Sequence, residues 1–209
     1  MSIIVDRGST WALTLDRPER ANALSAHLVE SLHGVLDEAD AAGPDALVLR
    51  GNPRHFAAGF DLGGLAAETD ATLALRFLRI GDLLERLIAA PYVTAAVVDG
   101  AAVGAGADLV LACDHRLVDP SVTLRFPGSS FGVALGGVRR AELGGRLTTG
   151  VPSDLAVALA GPRPDRPQHD SDAEVSALAR SVSLPGLHAR LTTYADQTMK
   201  ARARKKEPA

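Results

Sequence analysis

The chain has 209 residues, 46% hydrophobic and 22% charged, the composition of a soluble globular protein with one main core, which excludes disordered, collagen-like and membrane-spanning classes. Lys plus Arg number 22 and Asp plus Glu 25, a net charge of -3, so there is no overall positive field to hold nucleic acid or anionic lipid. A single cysteine, Cys113, excludes an intramolecular disulfide framework and a multi-thiolate zinc site, and it fits the cytosol; no His/Asp/Glu cluster has metal-ligand spacing.

In chain order, residues 2–7 and 10–15 are apolar or β-branched clusters around Gly8-Ser9 and predict a hairpin, with no long apolar leader before it. Ser25 is a candidate N-cap. After it Leu28, Leu32, Val35, Leu36 and Ala39 recur at three and four residues, which predicts an amphipathic helix stopped by Gly43-Pro44. Residues 46–50 and 93–98 are short continuous apolar runs of the kind found in buried parallel strands. Between them Leu73, Phe77, Ile80, Leu84, Leu87 and Ile88 form a second helical stripe, ended by Pro91. Residues 115–118 and 122–126 are predicted strands, and 153–160 and 173–203 predicted helices. The Pro-rich stretch 161–167 is the one linker candidate, giving a core of residues 1–150 and a C-terminal helical region of 151–209.

Two segments bring small-residue backbone to a strand end and open a helix: Phe56-Ala-Ala-Gly59-Phe60-Asp61-Leu62 and Gly100-Ala-Ala-Val-Gly104-Ala105-Gly106-Ala-Asp108-Leu109. Glycine allows close approach of a ligand to the backbone, and the first turn of a helix leaves N–H groups without intrahelical partners. Facing each other, two such turns can bind one carbonyl oxygen and stabilise negative charge that develops on it. Each turn alone is equally an ordinary strand-to-helix connection. A dinucleotide fingerprint is excluded, because Gly104-Ala-Gly106 lacks a third glycine at the required spacing.

Taken in order, Leu15-Asp-Arg-Pro18-Glu-Arg-Ala-Asn22-Ala-Leu24, the Phe56–Leu62 segment and residues 91–114 resemble the enoyl-CoA hydratase/isomerase (crotonase) family over roughly residues 2–150. The resemblance implies an α/β fold, a crotonase-like spiral of ββα units with a reduced C-terminal helical region. It also implies a homotrimer or a hexamer of two trimers, and an acyl-CoA ligand with no cofactor beyond the CoA of the substrate. In the family the thioester oxygen takes two backbone N–H groups, which here fall on Phe60 and Ala105. Arg17, Arg20, Ala21 and Asn22, together with Ala58, Gly59, Asp61 and Leu62, are then expected along the nucleotide and pantetheine path, with arginine a phosphate partner. Gly104, Pro127, Gly128 and Ser129 are expected near the acyl group.

The carboxylates depart from the pattern. Hydratases of the family use two glutamates to position a water and move its proton; the first position is Asp108 here, and the second is Gly128. Loss of a general acid or base removes a contribution of about 10²–10⁴-fold, so efficient hydration is not expected. Asp108 is itself open to a second reading, since Asp is favoured in a first helical turn whether or not it does chemistry. Ser129 and Ser130 read as turn residues, His55 and His115 as weak candidates for a base, and Cys113 as a buried small hydrophobe. The basic end, residues 200–206, reads as a solvated helix terminus or a phosphate contact. Two functions stay open: an enzyme acting through an enolate, and an acyl-thioester binding protein that has lost efficient catalysis.

Overall fold

The structure, a computed structural model, describes residues 2–143, 150–166 and 168–204. It opens with the expected hairpin, β1 (Ile3–Asp6) and β2 (Thr10–Leu15), followed by α1 (Ala26–Ala42). Ser25 Oγ accepts from Leu28 N at 3.2 Å at the start of α1, and Gly43 ends it in the left-handed conformation (φ 63). The stripe Leu28, Leu32, Val35, Leu36 and Ala39 is buried.

From there the chain repeats one unit: a strand in the main sheet, a short strand in a second layer, then a helix. The first full turn is β3 (Ala46–Arg50), β4 (His55–Ala57) and α2 (Asp70–Ala89), and the next is β5 (Val93–Val98), β6 (Ala101–Ala102) and α3 (Ala105–Ala112). Then β7 (His115–Val118) returns to the main sheet, whose order is β1-β2-β3-β5-β7, parallel after the hairpin. The second layer is the parallel pair β4-β6, continued by single bridges between Leu24 and Phe60 and between Val103 and Arg125. This is the spiral of ββα units that the resemblance implies. Its practical result is that the ends of β4 and β6 lie side by side, each opening a turn toward the same space.

Three expectations are corrected. Residues 122–126 form no strand: only Arg125 pairs, accepting from Gly104 N at 2.7 Å and donating to Ala102 O at 3.2 Å, and Pro127 has no N–H to extend the ladder. The predicted helix 173–203 is two helices, α6 (Ser171–Val182) and α7 (Leu187–Arg204). Pro185-Gly186 breaks it, with Gly186 at φ 76, and Asp70 of α2 caps the new start by accepting from Gly186 N and His188 N at 2.9 and 2.7 Å. Nor is the Pro-rich stretch a free tether. Arg163 and Arg166 both donate to the buried Asp114 carboxylate, at 3.1 and 2.6 Å, and Arg163 also reaches the carbonyls of Ala90 and Pro91. Between these segments lie α4 (Gly137–Leu143) and α5 (Leu155–Ala160). The last two lysines of the basic end, Lys205 and Lys206, lie outside the described residues.

Among the described residues no three His, Cys, Asp or Glu side chains gather as a metal site, and no helix is long and apolar enough to cross a membrane.

Candidate active site

The turn after β4 is fixed from below by the loop before α1. Ala58 N donates to Ala21 O at 3.0 Å, Leu24 N to Gly59 O at 2.7 Å and Asp61 N to Leu24 O at 3.2 Å. Ala21 and Asn22 hold left-handed backbone (φ 51 and 54), and Asn22, fully buried, uses its whole amide. Its Nδ2 donates to His55 O and Phe56 O at 3.0 and 3.1 Å, and its Oδ1 accepts from Arg17 N at 2.8 Å. Arg17 is occupied too: both terminal nitrogens donate to Asp61 at 3.1 Å, and one also reaches Ala23 O at 2.6 Å. On the far side of the turn, the Arg76 guanidinium lies 4.2 Å over the Phe60 ring and donates to Asp61 O at 2.9 Å.

The second turn depends on three glycines. Gly104 adopts φ 54, ψ −128, a conformation open to glycine alone. A Cβ on Gly106 would stand 2.4 Å from Ala57 O, so its absence lets α3 lie against β4. A Cβ on Gly59 (φ 85) would stand 2.5 Å from Val103 O and 3.3 Å from Ala105 N, so the two turns touch. The N–H groups of Ala58, Asp61, Gly104, Gly106, Ala107 and Asp108 all have backbone acceptors. Those of Phe60 and Ala105 have none among the described residues, and in the first turn Gly59 and Leu62 share this with Phe60. For Ala105 the cause is its place at the first position of α3.

Both turns open on a cavity of about 600 Å³, within the range that holds small-molecule ligands. Four of the five phenylalanines, Phe60, Phe77, Phe126 and Phe131, line it with Tyr194. Phe60 stacks on Phe77 with centroids 4.2 Å apart, and Phe131 bridges to Tyr194 at 4.8 Å. Tyr194, Thr198 and Ala201 come from one face of α7, which closes this side.

Asp108, one helical turn after Ala105, is the one carboxylate among the described lining residues. It is 4% exposed, and burial pushes its carboxyl up to about 7; Arg140 pulls the other way and the charge of Glu174 adds to the rise. Arg140 Nη1 donates to Asp108 Oδ1 at 2.5 Å and to Leu135 O at 2.9 Å. Gly136 makes room for this pair, since a Cβ there would stand 2.4 Å from Asp108 Oδ1. Glu174 of α6 in turn accepts from the N–H groups of Gly137 and Arg139 at the start of α4, which positions Arg140.

Of the residues expected at the site, Ala58, Gly59, Phe60, Leu62, Gly104, Ala105, Asp108, Pro127 and Gly128 line this cavity. Arg17, Arg20, Ala21, Asn22, Asp61 and Ser129 lie off its wall; Arg20 and Ser129 are exposed, and the other four brace the first turn. His55 and His115 are also off the wall. Cys113 is buried in the core as expected, donating to Leu109 O. Sequence reading missed Arg140, Arg125, Phe77 and the α7 face. The apolar stripe containing Phe77 was visible, but it read as core; nothing local couples position 140 to 108.

The enoyl-CoA hydratase/isomerase family model matches residues 7–144. A Mycobacterium bovis protein named "Probable enoyl-CoA hydratase echA6" is 38% identical over 132 residues, covering 63% of this chain and 52% of that protein. A Bacillus subtilis protein named "Probable enoyl-CoA hydratase" is 33% identical over 140 residues, covering 65% and 53%. The chain thus spans about half the length of these curated relatives. Among solved structures, a Bordetella parapertussis protein described as an enoyl-CoA hydratase/isomerase superposes with a TM-score of 0.83 at 33% identity, covering 93% of this chain and 98% of that one. The matched span takes in both glycine turns, Asp108 and Arg140, and the chain belongs to the enoyl-CoA hydratase/isomerase family.

Proposed function

We propose that the cavity binds an acyl-CoA, or another pantetheine thioester, with its carbonyl oxygen between the N–H groups of Phe60 and Ala105. The observation that carries this reading is that each of two turns that touch leaves a backbone donor without an acceptor at the cavity wall, Phe60 in the first and Ala105 in the second. When a proton leaves the α carbon, the electron pair passes to the carbonyl oxygen, and the two N–H groups stabilise the enolate in a site largely walled by apolar side chains. The reaction is of the hydratase or isomerase type. Asp108, near neutrality in its titration and within one helical turn of Ala105, takes or returns the proton.

One observation favours the second function. Gly128 brings no carboxylate to the wall, and Asp108 is held by Arg140, so a two-acid addition of water lacks a member. Wild-type hydration of crotonyl-CoA is therefore expected well below about 10 s⁻¹, an ordinary enzyme rate. Calorimetry and thermal shifts with crotonyl-CoA, butyryl-CoA and free CoA test the binding; no heat and no shift with any thioester would sink both functions. If a thioester binds while turnover and α-proton exchange are both absent, the accessory binding role stands.

For assembly we propose a homotrimer or a pair of trimers, with the region 151–209 supplying contacts. Val157, Leu184 and Met199 in that region are exposed apolar side chains that such contacts would cover. A monomer by sedimentation at micromolar concentration would contradict it. We assign the protein to the cytosol on its single cysteine.

A further inference from the structure

The cavity is unevenly charged. Its described lining carries one carboxylate, Asp108, and two guanidinium groups, Arg140 and Arg125. Arg140 places a single nitrogen, Nη1, on both of its partners, Asp108 and Leu135 O. Its Nε and Nη2 have no partner among the described residues, and the side chain is 28% exposed beside the Phe126 ring, 4.9 Å away. Arg125 is exposed and likewise has no side-chain partner among the described residues. A guanidinium offers donors in a planar fork that matches a carboxylate, and here one edge of the fork is taken and the other left open.

We propose that Arg140 is the receptor for a carboxylate carried on the acyl group, so that the preferred ligands are CoA thioesters of short dicarboxylic acids. The inference rests on the thioester oxygen lying between Phe60 and Ala105. From Ala105 to Asp108 is three residues of helix, about 4.5 Å of rise, and one ion pair leads from there to Arg140. That places the free edge of Arg140 within reach of an acyl chain of about four or five carbons whose thioester end sits at the two N–H groups. A neutral chain of that length would leave those donors facing apolar groups with their water displaced, whereas a terminal carboxylate pairs with them.

The test compares glutaryl-CoA with pentanoyl-CoA, which have the same number of acyl carbons, by calorimetry on the full chain. The wild type is expected to bind glutaryl-CoA about 10- to 100-fold more tightly, the range for one charge-assisted contact. Because Arg140 neutralises a buried carboxylate, its partner is changed with it: in the double variant Asp108→Asn with Arg140→Met both thioesters are expected to bind about equally. Arg140→Lys, which keeps the charge and loses the fork, is expected to keep part of the preference. Equal or tighter wild-type binding of pentanoyl-CoA overturns this inference and leaves the proposed thioester site standing. A glutaryl preference that survives in a folded double variant also overturns it. If neither thioester binds, the site itself is lost and the inference with it. Should the double variant fail to fold, the wild-type ratio and Arg140→Lys still decide.

Discussion

The cavity has two sides built on different principles. One side, residues 58–62 and 104–107, presents backbone: its glycines leave no place for a side chain, its loops are tied by main-chain hydrogen bonds, and the donors it offers the cavity are N–H groups. The opposite side, Asp108 with the segment from Phe126 to Arg140 and the face of α7, presents side chains brought together from distant parts of the sequence. Backbone donors do not change when a side chain does, so the first side preserves its geometry as long as its glycines stay. The acid/base inventory of the second can be lost one substitution at a time, and the resemblance implies that Gly128 is such a loss.

The largest effect is expected on the backbone side. Gly59→Ala combines a positive φ with a Cβ 2.5 Å from Val103 O, a backbone atom, so the two turns must part. We expect a loss of about 2–4 kcal/mol and no measurable thioester binding. Gly64→Ala is the control: its φ of 75 is similar but nothing lies within 4 Å of the added Cβ, so about 1 kcal/mol is expected with binding intact. Equal behaviour of the two variants in thermal melts would show that contact between the turns is not what holds the site.

Asp108→Asn moves to the other principle. It preserves the side-chain volume and removes the ionisable group, so any turnover should fall by about two orders of magnitude. Stability gives an independent check. Burial raises the folded carboxyl to about 7, above its ordinary 3.8, so between these values the folded state binds a proton that the unfolded state lacks. Asp108 therefore favours the fold most below about pH 4, and this contribution fades as pH rises through 7. Denaturant melts of the wild type minus those of Asp108→Asn should show that downward slope with rising pH. A flat difference would mean that Arg140 keeps the carboxylate ionised throughout.

How much of this was legible follows the same division. The turns were readable because glycine spacing is a local signal: Gly59, Gly104 and Gly106 each need glycine, for a positive φ, for want of room for a Cβ, or, at Gly59, for both. The stripes of α1 and α2 were readable as period. Arg17 and Asn22 were read as ligand contacts because polar residues in a loop look alike whether they face solvent or the next turn; here they bond Asp61, His55 O and Phe56 O. The Asp108–Arg140 pair spans 32 positions and depends on Gly136 leaving space, which no periodicity encodes. Pro185-Gly186 is a local breaker signal that the reading of one helix over 173–203 did not use.

A smaller effect is expected from restoring the missing carboxylate. Gly128→Glu does not meet a positive φ, but its Cβ would stand 2.9 Å from Val133 O, part of the loop whose Val133 N donates to Gly128 O at 3.1 Å. The loop must shift by a few tenths of an ångström, at a cost of about 1–2 kcal/mol, and the new carboxylate then faces a wall already holding Asp108. Hydration of crotonyl-CoA should rise by less than about tenfold, short of one full acid/base contribution. A rise of a hundredfold or more would show that the missing acid alone limits this protein.

The smallest effect is expected at Ser129, which sequence reading placed near the acyl group. It lies in the 3-10 turn Pro127–Phe131, its side chain is exposed, and it is not part of the cavity wall, although Pro127, Gly128 and Phe131 of the same turn are. Its carbonyl accepts from Gly132 N at 3.3 Å, a bond that alanine retains. Ser129→Ala should therefore change stability by no more than about 0.5 kcal/mol, as is usual for exposed sites, and leave the affinity for any bound thioester within about twofold. Calorimetry of this variant beside Gly59→Ala separates the two sides cleanly: tenfold weaker binding in Ser129→Ala would mean that the turn rotates on binding and that its hydroxyl reaches the ligand.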